Sequence, residues 1–161
     1  MLKLARKMGE IPFSDLMEVY AGSNAAMARE QWPEEPEGQA LYRAEMDFYQ
    51  YLRQDFFTQG DGLYALWMVG EKPVSAVRFE KWKDGFLLEG LETHPDHRRK
   101  GYGYALMQAA LKEVTGKVYS HVAKENVPSL ALHEKCGFRR CRDTAMADGT
   151  FDRRYVTLVK E

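Results

Sequence analysis

Cysteine is scarce: the 161-residue chain carries two, Cys136 and Cys141. Two thiols cannot make the framework of bridges that holds small secreted domains, so the chain is read as cytoplasmic and held by an apolar core. Long apolar runs are missing too. None approaches the ~20 residues that cross a bilayer, so no membrane partner is expected. The opening Met1-Leu-Lys-Leu-Ala-Arg-Lys7 lacks the apolar centre and cleavage site of a secretory signal. An excess of one charge is also absent: 23 Lys and Arg face 24 Asp and Glu, for a net charge of −1. That removes any general electrostatic drive toward nucleic acid. There is no internal repeat and no low-complexity tract.

What is present is ordinary in amount and uneven in placement. Apolar residues make up 45% and charged residues 29% of the chain, enough to build one core, so a single domain over residues 1–161 is expected. The basic residues are bunched, in Arg98–Lys100, Arg139–Arg142 and Arg153–Arg154. Met1–Arg6 reads as a first strand, and Pro12–Asp15 as a helix start with Ser14 as N-cap. Helix resumes over Asn24–Gln31. Trp32–Gly38, with two prolines, is a loop, and the pattern is helical again over Gln39–Thr58. Leu63–Val69, Val74–Trp82 and Phe86–Thr93 read as antiparallel strands, the last two joined by a two-residue turn at Asp84-Gly85. A helix over Tyr104–Val114 leads to a strand, Lys117–Val122, parallel to Phe86–Thr93 by a right-handed crossover. A short helix over Pro128–Lys135 follows. A hairpin of Phe138–Ala145 and Phe151–Val159 about Asp148-Gly149 closes the pattern. The class is α+β: a mixed, mostly antiparallel sheet of about seven strands flanked by about four helices.

Chemistry concentrates in His94-Pro-Asp-His-Arg-Arg-Lys-Gly-Tyr-Gly103, between a strand and a helix. The first turn of a helix has amides without intrahelical partners and the positive end of the helix dipole, which suits an anion. Gly101 and Gly103 let a ligand approach the backbone, and Arg98, Arg99 and Lys100 add positive charge. The turn is suited to a phosphate or pyrophosphate.

Two stretches, set in this element order, resemble the GNAT superfamily of acyl-CoA-dependent N-acyltransferases. Arg98-Arg-Lys-Gly101-Tyr-Gly103 is similar to that family's acyl-CoA signature, Arg or Gln, two residues, Gly, one residue, Gly or Ala. Asn126-Val-Pro-Ser129-Leu-Ala-Leu-His-Glu-Lys135-Cys-Gly137-Phe138 is similar to the segment in which an Asn precedes a short helix ending Lys-x-Gly-Phe. The C-terminal hairpin matches as well. The resemblance implies an N-acetyltransferase in which the two central parallel strands splay to admit acetyl-CoA as cosubstrate. It also implies the contacts: backbone from Leu91 through Glu92 to Thr93 for the pantetheine arm, and Arg98, Arg99, Lys100, Gly101, Tyr102 and Gly103 for the pyrophosphate. Asn126 and Ser129 would complete the cosubstrate site, with Asn126 equally suited to be the turn residue before its helix.

The acceptor implied is a primary amine of a small molecule or peptide. An amine of pKa ~10.4 is neutral in only about one copy in 2,500 at pH 7, a deficit of about 4–5 kcal/mol, so a base is worth having. Glu89 and Glu92 are the candidates, with Glu92 preferred for its nearness to the turn. In a regular strand they face opposite sides, and a bulge at Gly90 would change that. Where many family members carry a Tyr as general acid, this chain has His133, a proton donor near neutral pH or a polar helix residue facing solvent. Tyr119 and Cys136 are weaker substitutes. His94-x-x-His97 and His133-x-x-Cys136 fit no zinc signature, so no metal is expected. The acidic loop residues Glu34, Glu35 and Glu37 would suit a cationic acceptor or lie solvated. The competing class is a non-catalytic acyl-CoA-binding module. A homodimer meeting through the C-terminal hairpin is a further expectation.

Overall fold

The computed structural model describes every residue except Asp148, so that part of the expected Asp148-Gly149 turn lies outside the described residues. The order is β1 (Leu2–Ala5), α1 (Phe13–Val19), α2 (Ala21–Gln31), α3 (Glu37–Tyr51), β2 (Leu63–Val69), β3 (Lys72–Trp82) and β4 (Gly85–Thr93). It continues with α4 (Tyr102–Ala110), β5 (Lys117–Ala123), α5 (Val127–Lys135), β6 (Arg139–Arg142), β7 (Ala145–Ala147), β8 (Thr150–Asp152) and β9 (Tyr155–Lys160). Seven strands form one sheet in the order β1-β2-β3-β4-β5-β9-β6, and β7 and β8 form a separate antiparallel pair. Among the described residues, only β4 and β5 run parallel in the large sheet. The mixed α+β class holds, with five α-helices where about four were expected.

Several boundaries moved for physical reasons. The α1 helix begins at Phe13 after Pro12, so Ser14 lies inside it rather than capping it. The long third helix keeps α-geometry to Tyr51 and loosens into a π-turn over Leu52–Phe56. The β3–β4 turn is one residue earlier than expected. Trp82 pairs with Gly85, which leaves Lys83 and Asp84 as the turn. Lys83 takes the positive φ, +50°, in place of a glycine. Gly85 is needed for a different reason: a Cβ there would overlap the Lys117 carbonyl of β5.

The sheet separates two cores. One face, with Val77, Phe79 and Leu88, packs against Leu106, Met107 and Ala110 of α4. The other face, with Tyr64, Leu66 and Ala76, packs against Leu16, Val19 and Tyr20 and against Leu52 and Phe56. Helices α1–α3 therefore cover the β1–β4 half of one face, and α4 covers the other face.

Candidate active site

The parallel pairing of β4 with β5 runs from Gly85↔Lys117 to Leu88↔Ser120 and then stops. Beyond it β4 stays with β3 as far as Ser75↔Thr93, and β5 stays with β9 as far as Ala123↔Tyr155. The two central strands are thus splayed, and Glu89–Thr93 and His121–Ala123 line the opening without pairing across it.

At the top of β4 the chain turns through His94–Gly101 into α4. His94 Nδ1 accepts the Asp96 amide at 3.1 Å, which fixes the turn's start. Arg99 and Gly101 both hold positive φ, +62° and +83°. The first bond into α4 is Ala105 N–H to Gly101 C=O at 3.0 Å, which leaves the preceding amides of Arg99 to Tyr104 as the unpaired helix end. Gly103 is where three elements converge: a Cβ there would sit 3.3 Å from Thr93 Oγ1 of β4 and 3.6 Å from Leu132 Cδ2 of α5. Arg98 does not point along the turn. Its Nε–H donates to the Thr93 carbonyl at 3.2 Å, and its guanidinium lies toward Gly22 of α2, on the opposite face.

That opposite face holds both candidate bases. The β3–β4 register slips between Ala76 and Arg78, so Gly90 and Leu91 together oppose Val77. Gly90 has φ +60°. The extra residue carries Glu89 and Glu92 to the same side, where residues three apart in a regular strand would part. Glu89 pairs with the largely buried Arg78 at 3.3 Å. Arg78 in turn lies over the rings of Phe48 and Tyr51 in α3. Glu92 is partly buried and accepts the Ser23 hydroxyl of α2 at 2.9 Å. Burial raises its pKa from the ordinary value, and the Ser23 hydrogen bond and Arg98 charge only partly offset this. Glu80, the next carboxylate along this face, is also raised, by burial and then by Glu89.

On the α4–α5 side, Asn126 Oδ1 accepts the Ser129 amide at 3.2 Å and so caps α5. His133, one turn on, does not face solvent: it is 1% exposed and edge-on to Phe138 at 5.0 Å. Its Nδ1 lies 2.8 Å from the Ser129 carbonyl, which can only accept, so Nδ1 carries the proton. Nε2 then presents a buried lone pair with no hydrogen-bond partner among the described residues. Burial lowers the pKa of this ring, which keeps it neutral.

Other sequence candidates lie elsewhere. Tyr119 donates to Asp84 at 2.7 Å, at the far end of β5 from the opening. Cys136 is buried and Cys141 exposed, both as free thiols. The rings of His94 and His97 meet edge-on at 5.4 Å, and among the described residues no group of three or more His, Cys, Asp or Glu converges as a metal site. Glu35 and Glu37 are each paired to an arginine, Arg43 and Arg29, and tie the loop between α2 and α3. Among the described residues, no helix is long and apolar enough to cross a membrane. Three contributors escaped the sequence reading: Ser23, Arg78 and Tyr20. Ser23 and Tyr20 reach β4 from α2 and the α1–α2 junction, far away in sequence, and Arg78 faces Glu89 from β3 by a register that the local pattern does not signal.

The sequence profile of the Acetyltransferase (GNAT) family matches residues 24–138. The chain belongs to this family. A curated relative in sequence is streptothricin acetyltransferase of Streptomyces lavendulae, 31% identical over 81 residues, which span 47% of this chain and 43% of that protein. The match to UPF0157 protein YqkA of Bacillus subtilis is 30% identical and spans 48% of this chain and 23% of that one, so the chain spans less than half the length of either curated relative. Among solved structures, PaiA N-acetyltransferase from Thermoplasma acidophilum, in complex with coenzyme A, superposes over 100% of this chain and 99% of its own, with TM-score 0.66 at 14% identity. The ribosomal-protein-S18-alanine N-acetyltransferase of Escherichia coli covers 99% of this chain and 92% of its own, with TM-score 0.58 at 17% identity. At these identities the structural likeness speaks for the GNAT fold. The opening between β4 and β5 and the Arg98–Gly103 turn are where the family signature meets that fold.

Proposed function

We propose that the chain transfers the acetyl group of acetyl-CoA to the primary amine of a small-molecule or peptide acceptor by direct attack. The observation that carries the reading is Glu92: a partly buried carboxylate with a raised pKa, set by a bulge on the face away from α4, beside the opening between β4 and β5. The cosubstrate enters from the α4 side. Its pyrophosphate meets the amides of Arg99 to Gly103, with Lys100 adding charge and Tyr102 opening the helix. Its pantetheine arm runs along the unpaired edge from Leu91 to Thr93, with Asn126 and Ser129 at the mouth of α5. Arg98 serves the other face, holding the end of β4 and placing positive charge near Glu92.

The acceptor amine approaches from the α1–α2 side. Glu92 takes its proton, directly or through water, and offsets part of the ~4–5 kcal/mol cost of a neutral amine at pH 7. Glu89 is the second candidate, but its carboxylate is already engaged by Arg78. Nitrogen attacks the thioester carbonyl, the C–S bond breaks, the thiolate leaves, and the surplus proton on the attacking nitrogen passes to that thiolate, directly or through water. A thiol of pKa ~8.5 leaves with little help. This fits a His133 whose resting form presents a lone pair rather than a proton at Nε2. The same feature favours the competing reading, a module that binds acyl-CoA without turning it over.

Thiol release from acetyl-CoA across a panel of diamines, amino acids, aminoglycosides and peptides tests both. The expected result is release with at least one amine, reduced about 10²–10⁴-fold by Glu92→Gln. Its pH dependence should rise through an ionisation above the ordinary Glu value. Acetyl-CoA binding with no thiol release from any amine would leave the binding module standing.

A further inference from the structure

The Gly90 bulge is held by a device that the transfer chemistry does not use. Tyr20, in the one-residue junction between α1 and α2, places its hydroxyl 2.6 Å from the Gly90 carbonyl and 2.6 Å from the hydroxyl of Tyr64 on β2. A carbonyl can only accept, so Tyr20 donates to Gly90 and Tyr64 must donate to Tyr20. The direction of the chain is therefore fixed: Tyr64 to Tyr20 to Gly90. Both phenols are buried, at 5% and 0% exposure. Burial raises the pKa of each, so both keep their protons as donors. The guanidinium of Arg78 closes the pocket: a Cβ on Gly90 would lie 2.5 Å from its Nη1 and 3.1 Å from the Tyr20 hydroxyl.

We propose that Tyr20, backed by Tyr64, is a positioning residue that fixes the Gly90 bulge and thereby sets the orientation of Glu92. The proposal rests on the acyl-transfer reading for its importance but not for its geometry. Glu92 lies two residues beyond Gly90 on the same strand, and its side depends on the slipped register. The groups facing Glu92 are the Ser23 hydroxyl from α2, the Arg98 guanidinium from the turn, and the two phenols from the α1–α2 junction and β2. Without the Tyr20 hydroxyl the half-buried Gly90 carbonyl loses this donor, and the bulge can relax toward regular pairing. Glu92 then swings away from Ser23 and toward water.

The test is a carbon-detected NMR titration of the Glu92 carboxyl in the full chain, in the parent, Tyr20→Phe and Tyr64→Phe. Tyr64→Phe removes a buried hydroxyl of the same kind but keeps the bond to Gly90, so it controls for lost stability. In Tyr20→Phe the Glu92 midpoint should fall back toward the ordinary value near ~4.3, while in Tyr64→Phe it should stay. In turnover, Tyr20→Phe should lower kcat by about tenfold to a hundredfold, as misplacement of a catalytic group does. A Glu92 midpoint unmoved in Tyr20→Phe, or moved equally in both variants, would overturn the proposal. The titration needs no turnover. An absence of thiol release in the parent would therefore count against the transfer reading alone, and the titration would still decide the role of Tyr20.

Discussion

Gly90→Ala adds one methyl group at the most crowded point of the β4 bulge. Two costs follow. The first is conformational: at φ +60° an L-residue in the left-handed region gives up about 1–2 kcal/mol. The second is steric: the new Cβ would lie 2.5 Å from Arg78 Nη1, so the guanidinium must shift. A flexible side chain often gives way cheaply, but Arg78 is tied at 3.3 Å to Glu89 and lies over Phe48 and Tyr51. Weakening a hydrogen bond to a charged group costs about 1.5–3 kcal/mol, part of which relaxation recovers. The total comes to about 2–4 kcal/mol. For a domain of this size that lowers the midpoint of thermal unfolding by roughly 5–15 °C. Gly101→Ala supplies the comparison. It also has a positive φ, +83°, but nothing lies within 4 Å of its Cβ, so only the conformational cost applies. Urea unfolding of the two variants beside the parent separates the costs. If Gly90→Ala is no more destabilised than Gly101→Ala, the contact with Arg78 is not what requires glycine, and the reasoning fails.

Two further predictions concern pH. His133 has a lowered pKa in the fold, so as pH falls below its ordinary value of 6.5 the unfolded chain binds this proton first. Its contribution makes stability fall with falling pH from there down to the folded pKa, by up to about 1.4 kcal/mol per unit. His133→Phe should flatten that part of the stability profile in denaturant titrations from pH 7 to pH 5, and an unchanged slope would refute it. Asp84 is held at about 2 by hydrogen bonds from Lys117 and Tyr119. A depressed carboxyl stabilises above its unfolded pKa and loses that contribution as pH falls through the folded one. The stability difference between the parent and Asp84→Asn should therefore be full above about pH 4 and vanish near pH 2. A difference that persists at pH 2 would place its origin elsewhere.

Local chemistry was legible in the sequence and distant register was not. The turn after β4 and the Asn126 helix start each depend on residues within a few positions of one another and formed close to where expected, although α4 runs from Tyr102 to Ala110 rather than from Tyr104 to Val114. Gly90 suggested a bulge because a glycine inside a strand usually has a reason, but which carboxylate it would turn toward α2 depended on the slipped pairing with β3. The Ser23–Glu92 bond spans 69 positions and the Tyr20–Gly90 bond 70, distances over which no periodicity carries information. Asp84-Gly85 misled for a related reason. The dipeptide signalled a hairpin correctly, but the close approach of β5 claimed the glycine for the strand and left Lys83 to take the positive φ.

The strand order has a consequence for how the sheet can be assembled. β9 lies between β5 and β6, although β6 precedes it in sequence. Neither neighbour can be satisfied before Tyr155–Lys160 is in place: β5 has one bare edge, and β6, with Arg139, Arg140 and Arg142 among its four residues, has no partner at all. The last strand thus behaves like a wedge driven between two others. Until it is seated, the protein carries an open edge able to template pairing with another chain. The arginines of β6 are well placed to discourage such pairing during that interval.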